Sequence, residues 1–309
     1  FDIEEGELPP PITPTEDFYI VSKNVVDPTV SADTWSLSVG GAVDCELEVT
    51  YEDILAMDAV KQITTLECVS NTVGGEYISN AEWTGVPLID LLEEAGINDN
   101  VVDVAVFADD DYSDSIPLEK AQNRDVLLAY EINGEALPDD HGFPLRLVVP
   151  GIYGMKHVKW IKRIEAVPKD FQGFWQERGW ADDAPVMTMS KIVTPFYWSD
   201  LPVGRPSLIG GVAFSGDRGI SRVEVSVDGG TTWQNAEVEE PLSDSSWVRW
   251  SYWWTPEQAG AAEVIARAYE GDGTPQIEEK RNPLPAGSTG LHAIRVNMVQ
   301  LEDEDDASA

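Results

Sequence analysis

The sequence predicts an α+β fold in which a mixed α/β domain is followed by an immunoglobulin-like β-sandwich. Three observations lead there. Residues 15–184 mix strand-like alternation with helical periodicity. Residues 185–301 hold short period-two runs separated by turn residues. The texture changes near Pro185. Several short strands at regular spacing are the mark of a sandwich.

In chain order, residues 1–14 carry Pro9, Pro10, Pro11 and Pro14 among acids and read as an extended lead-in. Trp35, Leu37 and Val39 alternate with polar residues, as one face of a strand does. Thr50 followed by Glu52 and Asp53 marks a helix start, with acids at the positive end of the helix dipole. Pro87 opens a second helix with Leu88, Leu91, Leu92 and Ala95 on one face and Gly96 at the C-cap. Beyond Pro185, Val223, Val225 and Val227 alternate up to the turn Asp228-Gly229-Gly230, and Trp233 begins a return strand. Val248, Trp250, Tyr252 and Trp254 repeat the period, as do Val264, Ala266 and Ala268, then Ile294, Val296 and Met298. Trp247, Trp250, Trp253 and Trp254 are expected to pack that sandwich or its dimer interface. Residues 302–309 are an acidic tail expected to be solvated.

The chain has 309 residues, enough for two cores. Its 56 Asp and Glu against 20 Lys and Arg leave a net charge of -36. Such a field repels nucleic acid and anionic membranes, which excludes both as partners. It also strains the fold by self-repulsion, which concentrated salt screens. A halophilic protein is therefore expected over a merely acidic one. No apolar run approaches the roughly 18 residues of a membrane-spanning helix. The chain begins at Phe1 with no visible signal peptide, so a removed leader or a membrane tether outside this chain is an expectation.

Two cysteines, Cys45 and Cys68, exclude a disulfide framework. Cys45 follows a Gly-Gly turn and reads as a buried thiol. Cys68 ends an apolar run, and Gly74-Gly75 follow. That places its sulfur to face a cleft. Zinc and thioredoxin patterns need a second Cys that is absent there, and no Gly-x-Ser-x-Gly elbow or nucleotide loop is present. No Cys-x-x-Cys-His haem motif occurs either.

In a chain this acidic, the run from His141 to Ile164 has no Asp or Glu. It holds Arg146, Lys156, Lys159, Lys162, Arg163, His141 and His157 among several glycines. Cations among glycines suit a phosphate, because backbone amides can approach it closely. A basic strand neutralising nearby acids is the alternative, and both readings stand on composition. Trp83 reads as core or pocket wall, and His292 as structural.

The stretch His141-Gly-Phe-Pro-Leu-Arg-Leu-Val-Val-Pro-Gly-Ile-Tyr-Gly-Met-Lys-His-Val-Lys-Trp160 resembles the cofactor-binding core of the sulfite oxidase family of molybdopterin-dependent oxidoreductases. Tyr130 to Pro138, the Cys68 segment, Ala81 to Leu88 and Val225 to Trp233 resemble the same family in order, so the likeness covers roughly residues 15–300. It implies a sulfite-oxidase-type cofactor domain and a dimerising second domain. It implies Cys68 as the molybdenum ligand, with tungsten as a substitute. It implies that Phe18, Tyr19, His141, Arg146, His157, Val158 and Lys159 hold the pterin and its phosphate, with one acid of Asp109, Asp110 and Asp111, Asp109 taken first. The expected reaction is oxygen-atom transfer on a small oxyanion or sulfur compound, with electrons leaving to an external carrier and an extracytoplasmic location. A sulfoxide or oxyanion reductase, and a non-catalytic scaffold on the same fold, are the competing readings. The chain departs from the family where sulfite is held. Thr72-Val73 stand where arginines are usual, and Trp180 stands where a pocket tyrosine is usual. Arg249 and Lys23, with Arg178 nearby, are the substrate-pocket cations that the resemblance leaves.

Overall fold

The computed structural model describes residues 4–301, so the acidic tail falls outside the described residues. The chain is mostly β-sheet, with α-helices confined to Tyr51–Ala56, Leu88–Ala95 and Leu118–Ala121 among the described residues. Helix is scarcer than the mixed α/β expectation, because each helical stretch ends within one or two turns. At the first, Thr50 Oγ1 accepts from Asp53 N at 3.2 Å and Asp53 Oδ2 accepts from Thr50 N at 3.0 Å. This reciprocal capping box satisfies two end donors. Met57 then turns extended and stops the helix. In the second, Gly96 at φ 72° takes the left-handed cap, and Leu88, Leu91, Leu92 and Ala95 are buried as their spacing requires. Burying one such leucine stabilises by about 1.5–3 kcal/mol.

Two sheets build the first half. One runs Leu47–Thr50, Ser36–Gly41, Ile161–Val167, Asp103–Ala108, Ser113–Pro117, with Ser38 paired in parallel to Arg163. The other runs Val60–Glu67, Ile78–Pro87, Leu127–Ile132, Glu135–Ala136, with Arg146–Val148 also paired to Leu127–Ile132. Leu37, Ile54, Leu91, Val104 and Leu147 share the largest apolar cluster. The strand Val60–Glu67 ends immediately before Cys68, and Arg146–Val148 starts the basic run. The sheet framework therefore sets where both emerge.

The second half pairs Met189–Thr194, Ser207–Phe214, Val248–Trp254 and Glu237–Val238 in one sheet. The other sheet holds Asp200–Pro202, His292–Val299, Gly260–Glu270, Ile220–Ser226 and Gln234–Asn235. Residues of both sheets, among them Ile209, Trp250, Val225 and Val296, meet in one cluster. Trp247 and Trp250 are buried and Trp254 partly so, but Trp253 is 63% exposed because it lies on the outward side of its strand. Cys45 is also exposed, which corrects the buried expectation. It sits in a turn beyond the strand Ser36–Gly41, with no sheet over it.

The proline-rich lead-in is a strap across the seam of the two halves. Pro9 O accepts from Arg249 Nη1 at 3.1 Å, and Pro11 O accepts from Trp247 Nε1 at 3.2 Å and from Asn80 Nδ2 at 2.8 Å. Proline lacks an N–H, so the strap contributes acceptors to donors of both halves. Thr13 is fully buried, and Asn80 N donates to its hydroxyl at 3.1 Å.

Candidate active site

A cleft of roughly 850 Å3, counted to its open mouth, lies where the Cys68 strand end, the basic run and residues 18–23 converge. Ten of the residues singled out from sequence line it: Phe18, Tyr19, Lys23, Cys68, His141, Arg146, His157, Val158, Lys159 and Trp180. They come from segments more than 150 positions apart.

The basic run supplies one end. Arg146 is 6% exposed, donates from Nη1 to His141 O at 3.1 Å, and lies 5.0 Å from the ring centroid of Trp83. Its Nε is buried without a partner. Neither Arg146 nor Lys159 has a carboxylate ion pair among the described residues. Lys159 instead donates to Asp140 O at 2.8 Å and sits 4.2 Å over the ring of Trp160. Buried cations without counter-charge are costly. Burial pushes the Arg146 guanidinium down to about 10, and burial followed by the Arg146 charge pushes Lys159 down to about 8. The same two causes push His141 down to about 4 and His157 to about 3. Neutral His157 fits its contacts: Nδ1 accepts from Val149 N at 3.4 Å, and Nε2 faces Ile152 O at 3.1 Å as donor. This end of the cleft is thus a positive field with room in front of it.

Cys68 supplies the middle. Its Sγ is 3.0 Å from Ser70 Oγ. Burial pushes the thiol up, while Ser70 favours the thiolate and Glu67 opposes it. Glu67 itself is pushed up to about 8 by burial. Asn71 Nδ2 donates to its Oε1 at 2.9 Å, and Oε2 has no partner. Gly154 lets the next turn approach: a Cβ there would lie 2.8 Å from Tyr19 Oη and 3.3 Å from Glu67 O.

Aromatic side chains close the third side. Trp175 and Trp180 stack with centroids 4.3 Å apart and an interplanar angle of 11°, and both line the cleft. Tyr112 donates to Met155 O at 2.7 Å. Ser70, Tyr112, Met155, Trp160 and Trp175 were not singled out from sequence. No local spacing marks them, because none lies on a strand or an α-helix.

Two sequence expectations are corrected. Asp109 lies outside the cleft, half exposed, with its carboxylate 3.7 Å from Lys162. Asp110 enters instead: its Oδ2 accepts from Asn24 Nδ2 at 2.7 Å, and its backbone oxygen accepts from Lys23 Nζ at 2.7 Å. Asp111 takes a positive φ in the turn that follows. Arg249 also lies outside, because Glu239 and the strap oxygen of Pro9 hold it. Trp83 is fully buried core beneath Arg146, and His292 accepts from Ile192 N at 2.9 Å in the second half.

A strand-end thiol facing a cleft with buried, uncompensated cations defines a protein that binds an anionic cofactor beside a sulfur ligand. The model of the oxidoreductase molybdopterin binding domain matches residues 24–175, and that of the Mo-co oxidoreductase dimerisation domain matches residues 186–280. The chain belongs to the sulfite oxidase family of molybdopterin-dependent oxidoreductases. Human mitochondrial sulfite oxidase is 32% identical over 308 residues, covering 83% of this chain and 56% of its own. Arabidopsis thaliana sulfite oxidase is 29% identical over 328 residues, covering 86% of this chain and 82% of its own. Nitrate reductase [NADH] 2 of Arabidopsis thaliana is 29% identical over 84% of this chain and 35% of its own. The crystal structure of the sulfane dehydrogenase SoxCD from Paracoccus pantotrophus superposes with a TM-score of 0.80 at 27% identity, over 91% of this chain and 80% of that one. The chain spans about half the length of the mitochondrial relatives.

The residues present fit a phosphate-bearing pterin. Arg146, whose Nε has no partner, and Lys159, which has no carboxylate ion pair among the described residues, line the same cleft as the Cys68 thiol.

Proposed function

We propose that this protein is a molybdenum-cofactor oxidoreductase that carries out oxygen-atom transfer on a small sulfur compound or oxyanion. The observation that carries this reading is the pairing, in one cleft, of the buried Cys68 thiol with the uncompensated Arg146 guanidinium. The bound metal would supply two-electron redox chemistry and a transferable oxygen. Arg146, His141, His157 and Lys159 bind and orient the anionic part of the cofactor. A fixed positive field lowers the cost of burying a dianion there. Phe18 and Tyr19 close over it: Phe18 is 3% exposed and packs edge-on to His141 at 5.5 Å. Cys68 would hold the metal as thiolate, a form that Ser70 Oγ, 3.0 Å from the sulfur, favours. Tungsten in place of molybdenum belongs to the same reading.

The electrons leave to a separate one-electron carrier. We read the two-sheet second half as an immunoglobulin-type sandwich through which two chains form a homodimer, consistent with the dimerisation-domain match. An extracytoplasmic location belongs to the proposal, on the expectation of a redox partner in the membrane.

The test is elemental analysis and pterin fluorescence of protein purified in high salt from a cofactor-competent host, for wild type and Cys68→Ala. About one molybdenum or tungsten per chain, with the metal centre lost or altered in the variant, is the expected result. Folded wild type with neither metal nor pterin overturns the reading.

A further inference from the structure

The strand Val60–Glu67, which leads into Cys68, lies at the edge of its sheet, with Ile78–Pro87 as its neighbour on one side. An open edge leaves alternate backbone N–H and C=O groups without strand partners. Here a loop of the second half takes them. Thr65 N donates to Ser245 O at 3.0 Å, and Ile63 O accepts from Ser243 Oγ at 2.5 Å and from Ser245 Oγ at 3.2 Å. The loop is braced by its own bonds: Ser246 N and Ser246 Oγ both donate to Ser243 O, at 3.2 Å and 3.1 Å.

Side chains close a ring beside this contact. Trp247 N donates to Thr65 Oγ1 at 2.8 Å, and Thr65 Oγ1 donates to Asn80 Oδ1 at 2.8 Å. Asn80 Nδ2 donates to Pro11 O at 2.8 Å, and Trp247 Nε1 donates to the same oxygen at 3.2 Å. Thr65, Asn80 and Trp247 are all buried. First half, second half and strap thus meet in one closed circuit of hydrogen bonds, three positions before Cys68. A satisfied buried network is rigid, and loss of one member strands the next. Past the thiol, Val69 is buried in the same apolar cluster as Trp247, Tyr153 and Met155. Trp247 is therefore tied to the chain on both sides of Cys68. A cysteine has one torsion that moves its sulfur, so the backbone on either side decides where the sulfur sits.

We propose that Thr65 and Trp247 are positioning residues for the Cys68 sulfur. The second half is then part of the cofactor-binding unit, beyond the dimerisation that its family match describes. The proposal rests on the oxidoreductase reading above. A ligand atom must be held within a fraction of an ångström of its productive place, and the groups behind it do the holding.

The test is the rate of N-ethylmaleimide labelling of Cys68 in cofactor-free full-length protein at one fixed pH, in a Cys45→Ser background so that one thiol reports. Thr65→Val leaves Trp247 N and Asn80 Oδ1 without the hydroxyl and is expected to speed labelling about tenfold. Thr65→Ser keeps the hydroxyl and restores the wild-type rate. Trp247→Phe removes only the Nε1 donor and gives a smaller rise in the same direction, which decides the matter where Thr65→Val does not fold. Val225→Ala cuts the core of the second half away from the ring. It lowers the denaturation midpoint and leaves the labelling rate unchanged. In cofactor-loaded protein of matched metal content, the thiolate-to-metal absorption band shifts in Thr65→Val and stays in Val225→Ala. A merely structural role would make labelling follow the denaturation midpoint in every variant. That pattern, or a wild-type rate in both Thr65→Val and Trp247→Phe, overturns the proposal. Wild type without metal or pterin counts against the cofactor reading, and the labelling rates still decide the positioning.

Discussion

Arg146 holds its guanidinium 5.0 Å from the ring centroid of Trp83, with the arginine 6% exposed and the indole fully buried. The contact with the indole face offsets part of the desolvation of the charge. The unpartnered Nε shows that the remainder is uncompensated within the chain. A charge kept in this state is stabilised by its ligand. Replacing Arg146 with Met is therefore expected to leave the cofactor-free protein as stable as wild type or more so, by up to about 1–4 kcal/mol. Pterin retention in the same variant should fall by more than about tenfold, since a charge-assisted contact to phosphate is lost. Denaturant melts of apo-protein and pterin content after gel filtration measure the two effects. A large stability loss with full pterin retention would contradict this assignment.

The buried histidines give a pH dependence of definite sign. His157 is pushed down to about 3 and His141 to about 4, chiefly by burial. An unfolded histidine titrates near 6.5. Between about 6.5 and those folded values the unfolded chain binds more protons, so stability falls as pH falls through that window. Glu67, pushed up to about 8, acts in the opposite sense: from its unfolded value near 4.5 up to about 8 the folded chain binds more protons. The readout is therefore the difference between wild type and His157→Gln. The denaturation midpoint of apo-protein should drop less in the variant than in wild type between pH 6.5 and pH 4.5, at constant salt. Parallel pH profiles would show that His157 is not buried neutral.

Lys156 and Asp114 are 3% and 1% exposed at 2.9 Å separation. Removing one partner strands the other charge. Lys156→Met is expected to cost about 3–5 kcal/mol, and the double variant Lys156→Met with Asp114→Asn to cost less than the single one. Urea melts of wild type, Lys156→Met, Asp114→Asn and the double variant close the cycle. Additive costs would mean that the two charges do not interact.

Most of the cleft was legible in the sequence because the basic run contrasts so sharply with an acidic chain. His141, Arg146, His157 and Lys159 stood out by charge alone, and their convergence with Cys68 followed from the family resemblance. The misses are tertiary. Asp109, Asp110 and Asp111 are chemically equivalent in sequence, and contacts from the distant Lys23 and Asn24 distinguish Asp110. Arg249 looked free until its strand neighbour Glu239 was in place, with Glu239 N donating to Arg249 O at 2.9 Å. The Trp175–Trp180 wall has no strand or α-helical periodicity: the two indoles flank the single 3-10 turn Gln176–Arg178, and Trp180 N donates to Trp175 O at 3.1 Å. In the second half, the period-two runs located the long strands. They could not say that Trp253 faces out, because Trp253 and Trp254 are adjacent and only one side of the strand is covered.

The surplus of acids predicts a salt response that the buried ion pairs do not share. With a net charge of -36, carboxylates crowd the exterior and repel within a Debye length of about 10 Å at 0.1 M salt and about 3 Å at 1 M. Exposed pairs such as Lys61–Glu82 are screened as well, but each is worth only about 0–1 kcal/mol. Lys156–Asp114 is shielded from solvent and keeps its strength. Raising KCl from about 0.1 M to about 1 M is therefore expected to raise Tm, with the repulsion relieved outweighing the surface attractions lost. Sodium chloride should do the same, because screening depends on ionic strength and not on the cation. A Tm that is flat or falls in both salts would mean that the acids are already neutralised within the fold, and the halophilic expectation would fail with it.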